Sequence, residues 1–199
     1  MILEKLDLTK AYPEYYKATS KPKMVNIEPL NYLSVKGKSS PEDQKFTSAI
    51  EELYAMAYTI KFNCKVHDLD FVVPKMEGFW WVEGDLTFDQ TPREEWCWKI
   101  VMRMPDFVGD VEYSLACESL RAKNKAHARV QIEEIHEGLS AQILHVGSYE
   151  EEAATLEKLY TYIEQEGFKI NGHHHEIYLS DPLKTAPHKL KTILRYAIM

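Results

Sequence analysis

Apolar and polar side chains alternate along Trp96-Cys97-Trp98-Lys99-Ile100-Val101-Met102-Arg103-Met104, so that Trp96, Trp98, Ile100, Met102 and Met104 share one face while Lys99 and Arg103 take the other. A period of two predicts a half-buried strand. Phe46, Ile50, Leu53, Ala57 and Ile60 instead recur at helical spacing. Just before them, Ser39-Ser40-Pro41-Glu42-Asp43 offers a helix start: a hydroxyl cap, a proline in the first turn, then acids near the positive helix end. The pattern predicts a first strand over residues 27–35 and two strands over 70–73 and 78–82, separated by Pro74-Lys75. Beyond Pro105-Asp106, Val108, Val111, Leu115 and Leu120 mark a helix, and Val130-Gln131-Ile132-Glu133-Glu134-Ile135 leads into a Glu137-Gly138 turn. A second long helix is expected over about residues 150–166, with Gly167 as its left-handed C-terminal residue. Strands over 173–179, stopped by Asp181-Pro182, and over 191–198 complete the set.

These elements state one pattern twice. Leu33-Ser34-Val35-Lys36-Gly37 parallels Ile143-Leu144-His145-Val146-Gly147, and Ile50-Glu51-Glu52-Leu53-Tyr54 parallels Leu156-Glu157-Lys158-Leu159-Tyr160. Each helix leads to a glutamate among apolar and aromatic neighbours: Met76-Glu77-Gly78-Phe79-Trp80-Trp81, then His175-Glu176-Ile177-Tyr178-Leu179. The expected fold is α+β: duplicated strand–helix–strand–strand repeats forming an antiparallel sheet, helices on one side, with a ligand cleft between the repeats. Residues 1–26 are expected as an N-terminal arm and 27–199 as a single domain. Within it, repeat one covers about 27–84, a bridging strand and helix about 92–128, and repeat two about 129–199.

Composition narrows the function. A chain of 199 residues, 45% hydrophobic and 28% charged, suits one sizeable soluble core, or two small lobes sharing one. Its net charge of −7 argues against a nucleic-acid partner, which needs a clustered basic surface. The run Arg121-Ala122-Lys123-Asn124-Lys125-Ala126-His127 reads as a solvated helix end. No apolar run approaches the ~20 residues of a membrane span, and no signal-peptide core is present, so a cytoplasmic location is expected. Cys64, Cys97 and Cys117 form no CxxC pair, which fits a reducing compartment. Nothing in the chain sets an oligomeric state.

Candidate chemistry centres on Glu176 and Glu77. A strand-end carboxylate facing solvent is the plainer reading of Glu176, and a turn glutamate that of Glu77, whose neighbour Gly78 suits close backbone approach. Trp80 and Trp81 point to opposite strand faces, so one is expected to meet a ligand and the other a core. Trp98 shares its face with Trp96, where core filling competes with ligand contact. Tyr149 follows a Gly-Ser turn, Tyr178 lies on the face of Glu176, and Tyr113 comes from the bridging helix. The His173-His174-His175-Glu176 run invites a metal, but alternation leaves two ligands per face, and His136 or His145 would have to complete a set. Neither metal nor cofactor is therefore expected.

Several of these segments coincide with a known family. Gly172-His173-His174-His175-Glu176-Ile177-Tyr178-Leu179-Ser180-Asp181-Pro182, followed by Lys189-Leu190-Lys191-Thr192-Ile193-Leu194-Arg195, resembles the C-terminal signature of the GyrI-like small-molecule-binding proteins. His145-Val146-Gly147-Ser148-Tyr149-Glu150 resembles the family's His-x-Gly-x-Tyr turn. Glu77-Gly78-Phe79-Trp80-Trp81 and Trp96-Cys97-Trp98-Lys99 are similar to a stand-alone subgroup. The resemblance runs from about residue 27 to the C-terminus. It implies the duplicated fold, a cleft, and a buried glutamate there, matching Glu176. Relatives serve as effector-binding domains of drug-responsive activators or protect gyrase, and some stand-alone members hydrolyse cyclopropane-bearing DNA-alkylating compounds. With no room for a helix-turn-helix, transcription regulation by this chain alone is not expected.

Two functions then stand. In the first, the protein binds hydrophobic aromatic small molecules and hydrolyses cyclopropane-bearing genotoxins, in a detoxification or drug-resistance role. Catalysis would fall to Glu176 as general base and Tyr149 as hydrogen-bond donor, and ligand contacts to Glu77, Trp80, Trp81, Trp98, Tyr113 and Tyr178. A carboxylate among apolar groups becomes a better base, and a phenol can stabilise charge developing on a conjugated carbonyl. In the second, the same residues sequester amphipathic or cationic drugs without turnover.

Overall fold

The computed structural model describes residues 5–84 and 86–199; the first four residues of the expected N-terminal arm and Asp85 lie outside the described residues. The elements in chain order are α1 (Leu8–Ala11), α2 (Pro13–Tyr16), β1 (Lys23–Ile27), β2 (Leu30–Lys38), α3 (Gln44–Lys65), β3 (Met76–Trp81) and β4 (Cys97–Arg103). Then follow α4 (Asp110–Ala122), β5 (Gln131–Ile135), β6 (Gly138–Val146), α5 (Ala153–Gln165), β7 (His174–Tyr178) and β8 (Lys191–Ala197). No helix among the described residues is long and apolar enough to cross a membrane.

The repeat expected from the sequence is present as β2-α3-β3-β4 and β6-α5-β7-β8. The chain forms two compact units, one from the described residues up to Ala11 with Leu30–Ile135, the other from Tyr12–Pro29 with His136–Met199. Each holds four antiparallel strands. In the first unit β4 pairs with β3 and β2, and β2 with β5. In the second, β8 pairs with β7 and β6, and β6 with β1.

Three elements differ from the sequence pattern. Residues 70–73 make no strand; Phe71 forms only an isolated bridge with Leu6, and Pro74, which lacks an N–H, follows. The strand read as a bridge, β4, is therefore the last strand of the first repeat. The single strand expected over 27–35 is two, β1 and β2, divided at Glu28-Pro29, and α3 starts after Pro41 rather than around it. Its cap is Asp43, whose carboxylate accepts the Lys45 N–H at 2.7 Å. Gly167 does adopt the left-handed conformation expected of it, with φ 81°.

The alternation of β4 places Trp98, Ile100 and Met102 against Phe46, Leu53, Met56 and Ile60 of α3, which form the first unit's core. The second core joins Ala141, Ile143, Leu194 and Tyr196 of the sheet to Leu159 and Ile163 of α5. Gly37 pairs with Trp98 across β2 and β4, and the indole packs against its bare backbone. A Cβ on Gly37 would sit 2.5 Å from Trp98 Cη2. Gly37→Ala should therefore lower stability by about 1–3 kcal/mol, the scale of an overpacked core. Urea unfolding followed by tryptophan fluorescence checks this.

Candidate functional site

In the second unit, β6 ends at Val146, and Gly147 turns the chain with φ 150°, a conformation that side chains rarely tolerate. A Cβ there would meet Glu151 Oε2 at 2.9 Å. His145 holds the turn: its Nε2–H donates to the Ser148 carbonyl at 2.9 Å, and its Nδ1 accepts from Thr155 Oγ1 at 2.9 Å on α5. The Glu151 carboxylate reaches back to the Ser148 N–H at 3.1 Å. Glu152, next in the chain, turns inward and is only 6% exposed.

Glu152 meets His174 and Glu176 of β7 there. One nitrogen or oxygen atom of each lies within 4.8 Å of the others. His174 Nε2 hydrogen-bonds Glu176 Oε1 at 3.0 Å. Glu152 Oε1 and His174 Nδ1 are buried and meet no hydrogen-bond partner among the described residues. Four tyrosines surround the group. Tyr149 and Tyr178 stand edge to face with centroids 5.9 Å apart, the Tyr160 and Tyr196 hydroxyls bond at 2.9 Å, and the Tyr196 ring lies 5.2 Å from that of His174.

Burial is the main reason that Glu152 keeps its proton: it pushes the carboxyl up to about 9, with the charges of Glu176 and Glu150 adding to it. Burial, then Glu176 and Glu152, pushes the Tyr149 phenol up to about 12. Tyr196 is raised too, by burial and by its bond to Tyr160. At neutral pH the site thus offers the neutral Glu152 carboxyl and the Tyr149 and Tyr196 phenols as donors beside Glu176. Glu152, His174 and Glu176 are also the described residues with the donor types to hold a metal ion.

Strand alternation divides the histidine run as the sequence pattern requires. His175 faces away from the Glu176 group, fully buried, and its Nδ1–H donates to Glu137 Oε1 at 3.0 Å. The third member of the Glu176 group is neither His136 nor His145 but Glu152, which the sequence reading missed. A signal was available: Glu152, Leu156, Leu159 and Ile163 fall at i, i+4, i+7 and i+11, so the acid lies on the apolar stripe of α5.

The sequence-matched glutamates are one residue out of register. Glu176 pairs with Leu194, which pairs with Ile143; in the first repeat Met76 pairs with Met102, which pairs with Leu33. With Gly37 set against Gly147, Met76 is therefore the counterpart of Glu176. Glu77 falls on the opposite face of its sheet from α3 and is fully buried. Trp80 lies in the first unit's core, its ring 5.3 Å from that of Phe46, while Trp81 is half-buried on the face of Glu77. Trp98 is buried in the same core, its Nε1–H donating to Ser39 Oγ at 3.1 Å. The Tyr113 hydroxyl donates to the Val130 carbonyl at 2.7 Å, tying α4 to the approach to β5. Trp80→Ala should cost about 3–5 kcal/mol of stability by emptying a core site. Trp81→Ala should cost far less, and thermal melts of the pair check the contrast.

A family model described as the GyrI-like small molecule binding domain matches residues 20–197. Among solved structures, an uncharacterized conserved protein from Listeria innocua is 37% identical, with a TM-score of 0.92 over 98% of this chain and 100% of its own. A hydrolase encoded by lin2189 from Listeria innocua is 36% identical, with a TM-score of 0.90 over 98% of this chain and 100% of its own. A further structure, of a hydrolase from Listeria innocua, is 35% identical, with a TM-score of 0.88 and the same coverage. No significant match was found among curated proteins.

Proposed function

The chain belongs to the GyrI-like small-molecule-binding family, and on that premise we propose that it is a hydrolase that adds water to hydrophobic aromatic compounds carrying an activated cyclopropane. The observation that carries the reading is the Glu176 carboxylate set beside a buried neutral carboxyl and walled by tyrosine rings. The similarity to proteins named as hydrolases adds to it.

The chemistry balances without a cofactor. Glu176 accepts a proton from water as the water oxygen bonds to the strained ring carbon. The cleaved C–C bond leaves its electron pair in the conjugated carbonyl system, where the oxygen becomes a phenolate or enolate. Tyr149, protonated at neutral pH, donates a hydrogen bond to that oxygen. The oxygen finally takes a proton from solvent, and Glu176 returns its own to solvent. Product and substrate then differ by one water. In the cell such a reaction would disarm a genotoxin and confer drug resistance in the cytoplasm.

The rings of Tyr149 and Tyr178 supply the aromatic walls, since T-shaped pairs present broad apolar surface with defined geometry. Tyr178→Ala should then weaken binding of an aromatic guest by roughly 1–3 kcal/mol, the worth of one stacked ring. Titration of the folded variant with a neutral compound tests this, and unchanged affinity would remove Tyr178 from the site.

One observation favours a second reading, capture of cationic drugs without turnover: a carboxylate beside tyrosine faces also suits an organic cation. Affinity separates the two. A hydrolase built as proposed binds neutral spiro-cyclopropyl compounds, whereas a cation trap prefers charged dyes and leaves the neutral compounds unbound.

A further inference from the structure

We propose that Glu152 is a second catalytic residue, which holds the attacking water between its own carboxyl and that of Glu176. The inference rests on the hydrolase reading and adds to it the means by which the nucleophile is placed. Glu152 is 6% exposed, yet its Oε1 has no hydrogen-bond partner among the described residues. Leaving a buried polar atom unsatisfied costs about 1–3 kcal/mol, so a purely structural position would favour an apolar residue on this stripe of α5. The relevant carboxyl oxygens lie within 4.8 Å of one another. Such a span suits a single oxygen atom hydrogen-bonded to both at the usual O–H···O length of about 2.7–2.8 Å.

The division of labour follows from what surrounds each carboxyl. Glu176 is fixed by the His174 N–H at 3.0 Å and stays free to accept a proton on its remaining lone pairs. Glu152 faces Glu176 and His174 from β7, with Glu150 and Tyr149 on its own turn, Tyr196 on β8 and Tyr160 on α5. No lysine or arginine is among these groups, and the charges of Glu176 and Glu150 oppose ionisation of Glu152. A neutral Glu152 donates an O–H to the water, turning the water's own O–H towards Glu176. The proton lost by the water still goes to Glu176, and Glu152 ends the step as it began.

The test uses wild type, Glu152→Leu and Glu152→Gln with a neutral spiro-cyclopropyl compound, reading kcat, KM and the pH profile. Glu152→Leu should lower kcat on the order of 10²-fold, the scale of a misplaced reacting group, with KM nearly unchanged. Glu152→Gln, a permanent mimic of the neutral acid, should lose less and should lack the alkaline fall that wild type shows as Glu152 ionises around pH 9. The glutamine variant keeps the test decisive even if the leucine variant fails to fold. Wild-type kcat in Glu152→Leu, or an alkaline limb that survives in Glu152→Gln, would overturn the inference while leaving the hydrolase reading intact. Stoichiometric divalent metal that is bound by wild type and lost in Glu152→Gln would also overturn it. A wild type that adds no water at all removes the hydrolase reading, and this inference with it.

Discussion

Glu176→Gln should leave the fold and the affinity for a neutral ligand nearly intact while turnover falls about 10²–10⁴-fold, the usual loss when a general base is removed. Glutamine keeps the volume of the side chain and an oxygen that can accept the His174 N–H, now at 3.0 Å from the carboxylate, so the site should hold its shape. What it lacks is the capacity to take a proton from water. Circular dichroism, ligand titration and single-turnover product analysis on one preparation read the three quantities separately. A cation trap gives the opposite pattern, with cationic dye affinity lost and no turnover to lose. Undiminished turnover would place the base elsewhere.

A second large effect, on stability, is expected on the other face of the second unit's sheet. Arg195 is fully buried; its Nε and Nη2 donate to Gln142 Oε1 at 3.0 and 2.8 Å, Nη1 to Glu137 Oε2 at 3.2 Å, and Nη2 to the Tyr15 carbonyl at 2.9 Å. Its guanidinium also lies 4.3 Å from the centre of the Tyr15 ring, so it helps dock α2 together with Gln142 Nε2, which donates to the Glu14 and Lys17 carbonyls at 3.3 Å. Arg195→Met should cost about 3–5 kcal/mol, because it leaves the Glu137 charge buried with less compensation. The acid response gives an independent check. Burial alone would raise the Glu137 carboxyl, but His175 and Arg195 outweigh it and hold the group down at about 2, against an ordinary 4.5. A depressed carboxyl adds stability above its unfolded pKa and loses it as pH falls through the folded one. Wild type should therefore lose stability progressively from about pH 4.5 towards 2, and Arg195→Met should show a smaller loss across that window. Urea midpoints measured at several pH values decide both points.

Local periodicity made most of this architecture legible. The alternation of residues 96–104 is that of β4, the helical stripe from Phe46 to Ile60 is that of α3, and the left-handed Gly167 follows α5. What local pattern does not carry is pairing. β1 and β5 immediately precede β2 and β6 in the chain, yet β1 pairs with β6 and β5 with β2, a choice made by contacts far apart in sequence. The register slip between Glu77 and Glu176 has the same origin: a one-residue shift reverses every side chain of a strand, and only the partner strand fixes it. Glu152 escaped notice for another reason. In Tyr149-Glu150-Glu151-Glu152 three acids near a helix start read as a solvated, dipole-favoured cluster, although only the third falls on the apolar stripe. On β3 and β4, Trp80 and Trp98 pack against Phe46 and Trp98 also against Gly37, partners remote in sequence that no local pattern names.

The central claim is that this site adds water across an activated cyclopropane, and mass analysis of one incubation tests it most directly. The purified protein is mixed with a neutral spiro-cyclopropyl aromatic compound in water enriched in heavy oxygen, and the compound is recovered and weighed. The claim predicts a product heavier by one water, carrying the heavy oxygen on the opened ring carbon and formed over many turnovers per protein molecule. Recovery of the compound unchanged, bound or unbound, would contradict it.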